Sequence, residues 1–457
     1  MLFIDDNLSA LVEKGVGEVL NSIERDNTIL KAYTVNKFIH NLDDVTLFYG
    51  DLAQYKDLDK RGSALNSVGR MFRTDSDAIT YVNDVLQRPL SNKLELNGYK
   101  KFDGTLETAI LSEDIEDSKY IAEYKKALED KGLSEKEIDD AYSSISKWDG
   151  YAPTPLISLN KLSKELNLKN IYYKDESKRF NLKSFKALGG AYAVEKITKG
   201  NKDIVVATAT AGNHGRSVAW GARRLGLNCK IFISEFVSDA RGQAMADLGA
   251  DVIKVKGNYE KSLIECIKQS TENNWQIVQD VAWRDYIQVP TYTMAGYTVM
   301  MKEIADQIHN EKISHIILQA GVGGMAGAMI AGIAKYLNNI PSTIVVEPDS
   351  AACVLESIKT GKIEKIDIKT ESLMGGMSCG EVSLVPWKIL KNSVKHCISL
   401  PDDDIAKTMK LLGNSSFSDQ SIIAGENSAP GVISLIASCE DQNLKQSLKL
   451  DQNSNVL

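Results

Sequence analysis

Few residues in this chain could tie it to a metal, a disulfide framework or a membrane. Its six cysteines are spread over 457 residues with no Cys-x-x-Cys pair, and the five histidines are scattered without zinc-ligand spacing. This argues against a secreted, disulfide-bonded protein and against a metal site, and each cysteine is expected as a small buried hydrophobe. Charge of one sign is also missing: 54 basic residues face 61 acidic ones, a formal net charge of −7. That balance offers no electrostatic reason to bind nucleic acid or an anionic membrane. The longest apolar run, Gly321 to Ala334, is too short and too rich in glycine to span a bilayer. Met1-Leu2-Phe3-Ile4-Asp5-Asp6 lacks the basic start and apolar core of a signal peptide, so a cytoplasmic protein is expected. Internal repeats and low-complexity linkers are absent as well.

A chain of this length exceeds the usual single domain, so two packed lobes or more are expected. From residue 150 onward, strand-like runs near 170–175, 204–209, 229–233, 251–255, 276–280, 314–320 and 342–347 alternate with amphipathic helical stretches. Such alternation predicts parallel sheet covered on both faces, with ligands at the carboxyl ends of the strands. The first part of the chain differs. Leu8, Leu11, Val12, Val16, Val19, Leu20 and Ile23 recur at helical spacing, and residues 1–95 carry no catalytic signature. Ser134 and Glu137 predict a capping box at the start of a later helix.

Three segments carry the chemistry. In Ser184-Phe185-Lys186-Ala187-Leu188-Gly189-Gly190, Lys186 stands where an extended run, Ile171-Tyr172-Tyr173, gives way to helix-forming sequence. An amine partly buried at the positive end of a helix is biased toward its neutral, nucleophilic form, which suits Schiff-base chemistry. The second segment, Val205 to Gly215, reads as a buried strand that breaks at Gly212-Asn213-His214-Gly215 into a helix. Its backbone can approach a flat ligand closely, and Asn213 offers a donor and an acceptor. The third, Ile316 to Gly327, is again strand, glycine loop and helix, and its N–H groups form a concave phosphate cradle.

In this order the three segments resemble the fold-type II pyridoxal-phosphate enzymes, the group of threonine dehydratase and tryptophan synthase β. The resemblance implies an α/β fold of two lobes, each a mainly parallel twisted sheet flanked by helices, here with a mainly helical N-terminal extension. It implies pyridoxal 5′-phosphate as cofactor, held by Lys186 as a Schiff base and packed by Phe185. Asn213 would contact the ring oxygen, and Gly321, Val322, Gly323, Gly324 and Met325 would hold the phosphate. Further segments narrow the likeness: Gly150 to Leu156, Lys174 to Phe180, Gly212 to Trp220, Val278 to Trp283, Val346 to Asp349, Gly376 to Glu381 and Gly425 to Ala429 are similar to diaminopropionate ammonia-lyases. That family implies β-elimination of 2,3-diaminopropionate to pyruvate and ammonia, a small-molecule amino-acid substrate, a homodimer, and Asp280 as a second catalytic group near the substrate Cα. The domain boundaries expected are 1–95 for the extension, 96–195 with 301–457 for the large cofactor lobe, and 196–300 for the small lobe. A serine or threonine dehydratase, or a catalytically impaired cofactor-binding protein, stands as the alternative.

Two departures from the family pattern follow. Ala211 stands where these ammonia-lyases carry an aspartate implied to serve the D-enantiomer, which leaves one base for the L-substrate. The family also continues past Val456-Leu457 into a strand that faces the pyridine nitrogen, so a strand is expected to be missing at a sheet edge. His214 is expected to pack the loop, and Glu347, Asp349 and Glu426 are candidate pocket carboxylates. Cys353 and Cys379 are expected near the active-site mouth as two thiols, with a reversible disulfide as the alternative.

Overall fold

The computed structural model describes residues 133–210, 212–309 and 311–457. The expected N-terminal helix, the 1–95 extension and Ala211 lie outside the described residues. Two sheets form. The larger has the order β1 (Leu156–Ser158), β2 (Asn170–Lys174), β10 (Asn455–Val456), β7 (His315–Gln319), β8 (Ser342–Pro348) and β9 (His396–Leu400). The smaller has the order β5 (Asp251–Val255), β4 (Asn228–Ser234), β3 (Val205–Ala209) and β6 (Gln276–Ile277). All pairings are parallel except β1 with β2. The central strands Ile316-Ile317-Leu318 and Ile344-Val345-Val346 are continuous apolar runs rather than alternating ones, as sheet covered on both faces requires. The whole smaller sheet is threaded between β2 and β7, so the chain leaves the larger sheet once and returns.

Three strands depart from the sequence expectation. β6 ends at Ile277 instead of Asp280, because the Gln279 side chain takes over the ladder: its Nε2 donates to Ala209 O at 2.8 Å and its Oε1 accepts from Ala209 N at 3.2 Å. Asp280 is thereby freed into a loop. β1, only three residues long, and β9 are not among the strands that the sequence predicts. The sheet edge expected at the end of the sequence is not open there, since Asn455–Val456 lies in the interior of the larger sheet between β2 and β7. Ile317 N donates to Leu457 O at 2.8 Å there.

Helices position the site. Helix α1 (Glu135–Ile145) opens with the capping box that Ser134 and Glu137 predict: Ser134 Oγ accepts from Glu137 N at 3.3 Å, and Ser134 N donates to the Glu137 carboxylate at 2.9 Å. Helix α2 (Lys186–Thr198) begins at the singled-out lysine and packs against α3 (Asn213–Leu225) and α4 (Gln288–Tyr297). The approach of α4 needs a glycine, because a Cβ at Gly296 would come within 2.6 Å of Leu188 O. Helices α5 (Val299–Gln307) and α6 (Gly324–Tyr336) complete this layer, and α6 is apolar all round because its middle is buried on every face.

Candidate active site

A cavity of about 1200 Å³ opens between the sheets at the carboxyl ends of β3, β6 and β7. It is lined by each residue that the sequence singled out for chemistry: Phe185, Lys186, Asn213, Asp280, Gly321, Val322, Gly323, Gly324 and Met325. Lys174, Lys178 and Lys183 are the nearby lysines: Lys174 is held by Glu303 at 2.8 Å, Lys178 is exposed away from the cavity, and Lys183 also lines it.

Lys186 Nζ donates to Asp280 Oδ2 at 2.8 Å. Burial pulls the Lys186 amine down, yet the facing carboxylate outweighs it, so the amine is held above its ordinary value and charged. This corrects the expectation of a neutral amine. The helix start and partial burial are both present, but a long-range carboxylate overrides them. Burial alone would raise Asp280; the His214 ring where it is protonated, the Lys186 ammonium and the bond from Lys186 instead hold it well below the usual carboxylate range. Burial also pushes the His214 ring down, so the ring is neutral at neutral pH and the Lys186 ammonium is the charge that stabilises Asp280 there.

His214, expected only to pack its loop, is fully buried under the site. Its Nε2 lies 2.8 Å from Val278 O, and its Nδ1 lies 3.6 Å from Asp280 Oδ2 with no hydrogen-bond partner. The Tyr297 hydroxyl is a second buried polar atom without a partner, on a ring that meets Phe185 edge-on at 4.9 Å. Sequence reasoning missed Tyr297 because α4 reads as an apolar, fully packed helix with no chemical motif.

The glycine loop is shaped for an anion. Gly323 adopts φ +90° as the residue before α6, where a Cβ would strike Leu390 at 2.6 Å. A Cβ at Gly321 would come within 2.8 Å of Gly376 O, whereas Gly324 faces open space. No side chain caps α6, so its first-turn N–H groups are available to a phosphate, with the helix dipole behind them. Asn213, the first residue of α3, faces the same cavity. A cofactor with a phosphate, a flat ring and an amine-reactive carbonyl fits this donor set.

The remaining candidates divide. Glu426 lines the cavity, but Glu347 and Asp349 do not. The Glu347 carboxylate is fully buried, accepts Val354 N and Leu355 N at 2.8 Å each, and so caps helix α7 (Cys353–Thr360). Cys353 and Cys379 are free thiols beside Gly321, and the other four cysteines are free as well.

Comparison with known proteins agrees with this geometry. The family model "Pyridoxal-phosphate dependent enzyme" matches residues 147–456. Diaminopropionate ammonia-lyase of Escherichia coli strain K12 is 37% identical over 336 residues, covering 67% of this chain and 83% of that protein. A crystal structure of the Escherichia coli enzyme, in complex with an aminoacrylate-PLP azomethine reaction intermediate, superposes with a TM-score of 0.67 at 34% identity, over 77% of this chain and 93% of that one. The biosynthetic L-threonine dehydratase of Staphylococcus aureus strain NCTC 8325 is more distant, at 24% identity over 309 residues, covering 66% of this chain and 69% of that one. The chain therefore belongs to the pyridoxal-phosphate dependent enzymes and, within them, to the diaminopropionate ammonia-lyase family.

Proposed function

We propose that the cavity between the two sheets carries out β-elimination of 2,3-diaminopropionate to pyruvate and ammonia, with pyridoxal 5′-phosphate as cofactor. The observation that carries this reading is the Lys186–Asp280 pair at 2.8 Å within the cavity that the glycine loop faces. When bound, the cofactor supplies a carbonyl that condenses with amines and a ring that withdraws electrons from the substrate Cα. Lys186 would hold it covalently, Gly321, Val322, Gly323, Gly324 and Met325 its phosphate, Asn213 its ring oxygen, and Phe185 would pack beside it. Once its amine is released, Lys186 can accept a proton. Asp280, kept ionised at neutral pH by its surroundings, is the second base that would take the substrate Cα proton.

The large lobe is proposed as residues 96–195 with 301–457 and the small lobe as 196–300. This division is supported by the larger sheet being built from both flanks of the chain and the smaller from the middle. A cytoplasmic homodimer completes the proposal, on the family resemblance. Among the described residues no helix is long and apolar enough to cross a membrane.

The test is pyruvate or oxobutyrate release from L- and D-diaminopropionate, serine and threonine by the full-length protein. Turnover of L-diaminopropionate above the others is expected, and faster turnover of threonine or serine would favour the dehydratase reading. With alanine at 211, the L-enantiomer should exceed the D-enantiomer by a large factor, and Ala211→Asp should restore part of the D-activity.

A further inference from the structure

The His214 ring sits beneath Asp280 with its two nitrogens in different situations. Nε2 faces the carbonyl oxygen of Val278 at 2.8 Å, and a carbonyl only accepts, so Nε2 carries the hydrogen. The peptide that carries this carbonyl is held from its other end, since Gln279 N donates to the Tyr286 hydroxyl at 2.8 Å. In the neutral ring Nδ1 is therefore a bare lone pair. It is buried, without a partner, and 3.6 Å from Asp280 Oδ2. A lone pair facing an ionised carboxylate makes no hydrogen bond, and an unsatisfied buried acceptor is uncommon and costly. The arrangement becomes satisfied when Oδ2 gains a proton and donates it to Nδ1.

The other groups around Asp280 do not compete for this role. Lys186, on α2, donates to Oδ2 and has no acceptor to offer. Tyr297 on α4, Tyr259 at the start of the helix Tyr259–Asn273, Tyr286 in the following loop and Cys379 across the cavity also feel the Asp280 charge. Burial pushes all four above their ordinary range, so each stays protonated through neutral pH. His214 Nδ1 is the buried, unpartnered ring nitrogen that lies 3.6 Å from Asp280 Oδ2.

We propose that His214 is a positioning residue for Asp280: with its tautomer set by Val278, Nδ1 receives a hydrogen bond from Asp280 whenever the carboxyl is protonated, so that the two side chains together hold the proton taken from the substrate Cα. No covalent bond is formed by His214, and the proton remains on Asp280 or is shared along the Oδ2–Nδ1 line until it is passed on. The proposal rests on Asp280 acting as the base, and one consequence is directional. Removing the acceptor destabilises protonated Asp280, so the acid limb of kcat/KM moves to lower pH and turnover falls.

Two experiments on the full-length protein separate this inference from the function it rests on. In 15N-histidine-labelled protein without cofactor, with the His214 signals assigned by their loss in His214→Asn, the expected pattern at neutral pH is Nε2–H with an unbonded Nδ1. Asp280→Asn, whose amide can donate, should shift Nδ1 toward the hydrogen-bonded range. A ring protonated at Nδ1, or an Nδ1 signal indifferent to Asp280→Asn, would overturn the proposal whatever the substrate proves to be. In the loaded enzyme, His214→Phe should lower kcat roughly tenfold and move the acid limb down by about one pH unit. His214→Gln, which keeps an acceptor, should recover part of both while cofactor loading is unchanged. A purely structural role would instead lower loading or stability in both variants without moving the pH profile, and that result would also refute it.

Discussion

Arg179 and Glu303 bring together the same kinds of charge as Lys186 and Asp280, but the two clusters are finished differently. Glu303 accepts from Arg179 at 2.7 and 2.8 Å, from Lys174 at 2.8 Å, from Tyr151 at 2.9 Å and from Thr154 N at 3.1 Å. Arg179 also donates twice to Glu176 at 2.8 Å, to Thr154 Oγ1 at 3.1 Å and to Ala152 O at 3.3 Å. Both side chains of that pair are 1% exposed, whereas Lys186 and Asp280 are 30% and 16% exposed. In the cavity Asp280 accepts a single side-chain bond, and His214 Nδ1 has none. A saturated buried network rigidifies its surroundings; an unsaturated one that opens on a cavity is poised to exchange protons. The saturated cluster has a mechanical task beside the site. It braces the turn that leads into α2, where Phe180, Asn181 and Lys183 hold φ of +48°, +59° and +56°. These left-handed residues cost free energy and persist only when their surroundings dictate them.

The comparison can be broken from either side, and the largest effect is expected at Lys186. Lys186→Ala should abolish covalent attachment of pyridoxal phosphate, read as no borohydride-reduced lysine peptide. A labelled peptide containing Lys174, Lys178 or Lys183 would reassign the site. At the saturated cluster, Glu303→Ala leaves Arg179 and Lys174 buried without their carboxylate, so urea unfolding should lose about 3–5 kcal/mol. A loss below about 1 kcal/mol would show that water or rearrangement compensates the two cations and that the clusters are not so different. Asp280→Asn should act in the opposite sense, with little change in stability or cofactor loading and about a hundredfold lower turnover of the L-substrate. Unchanged turnover would make Asp280 a loop residue.

The smallest effect is expected at Glu347, a third style of buried charge that belongs to neither cluster. Burial raises its carboxyl from about 4.5 to about 8, against the lowering influence of the Val354 and Leu355 N–H groups. A raised acid binds its proton more tightly in the folded state, so its stabilising contribution is complete below about pH 4.5 and is lost as pH rises through about 8. Glu347→Gln should therefore flatten the fall in melting temperature between pH 5 and pH 9. An unchanged slope would mean that the two N–H bonds keep Glu347 ionised.

Much of the larger architecture was legible because its signals are local. Seven strands announced themselves as apolar runs, and the Ser134–Glu137 spacing carries its capping box without help from the rest of the chain. β6 is shorter than the sequence predicts because Gln279 substitutes a side-chain amide for the backbone ladder, an exchange that no periodicity reveals. The Lys174-to-Phe180 segment was read as part of the family signature, but the use of Lys174 and Arg179 depends on Glu303, more than a hundred residues away in α5.

By itself the sequence determined the two strand–glycine–helix loops, the lysine at a helix start and the asparagine that opens the next helix. Each depends on backbone geometry within a dozen residues, and glycine is required where a Cβ would collide, as at Gly323. Only the tertiary structure decided the protonation of the site. Lys186 and Asp280 stand 94 positions apart in sequence, and His214 lies 64 from the carbonyl that sets its tautomer. Local context made Lys186 a candidate for a neutral amine; the carboxylate that folding delivers holds it as an ammonium, because its attraction across 2.8 Å outweighs the cost of burial.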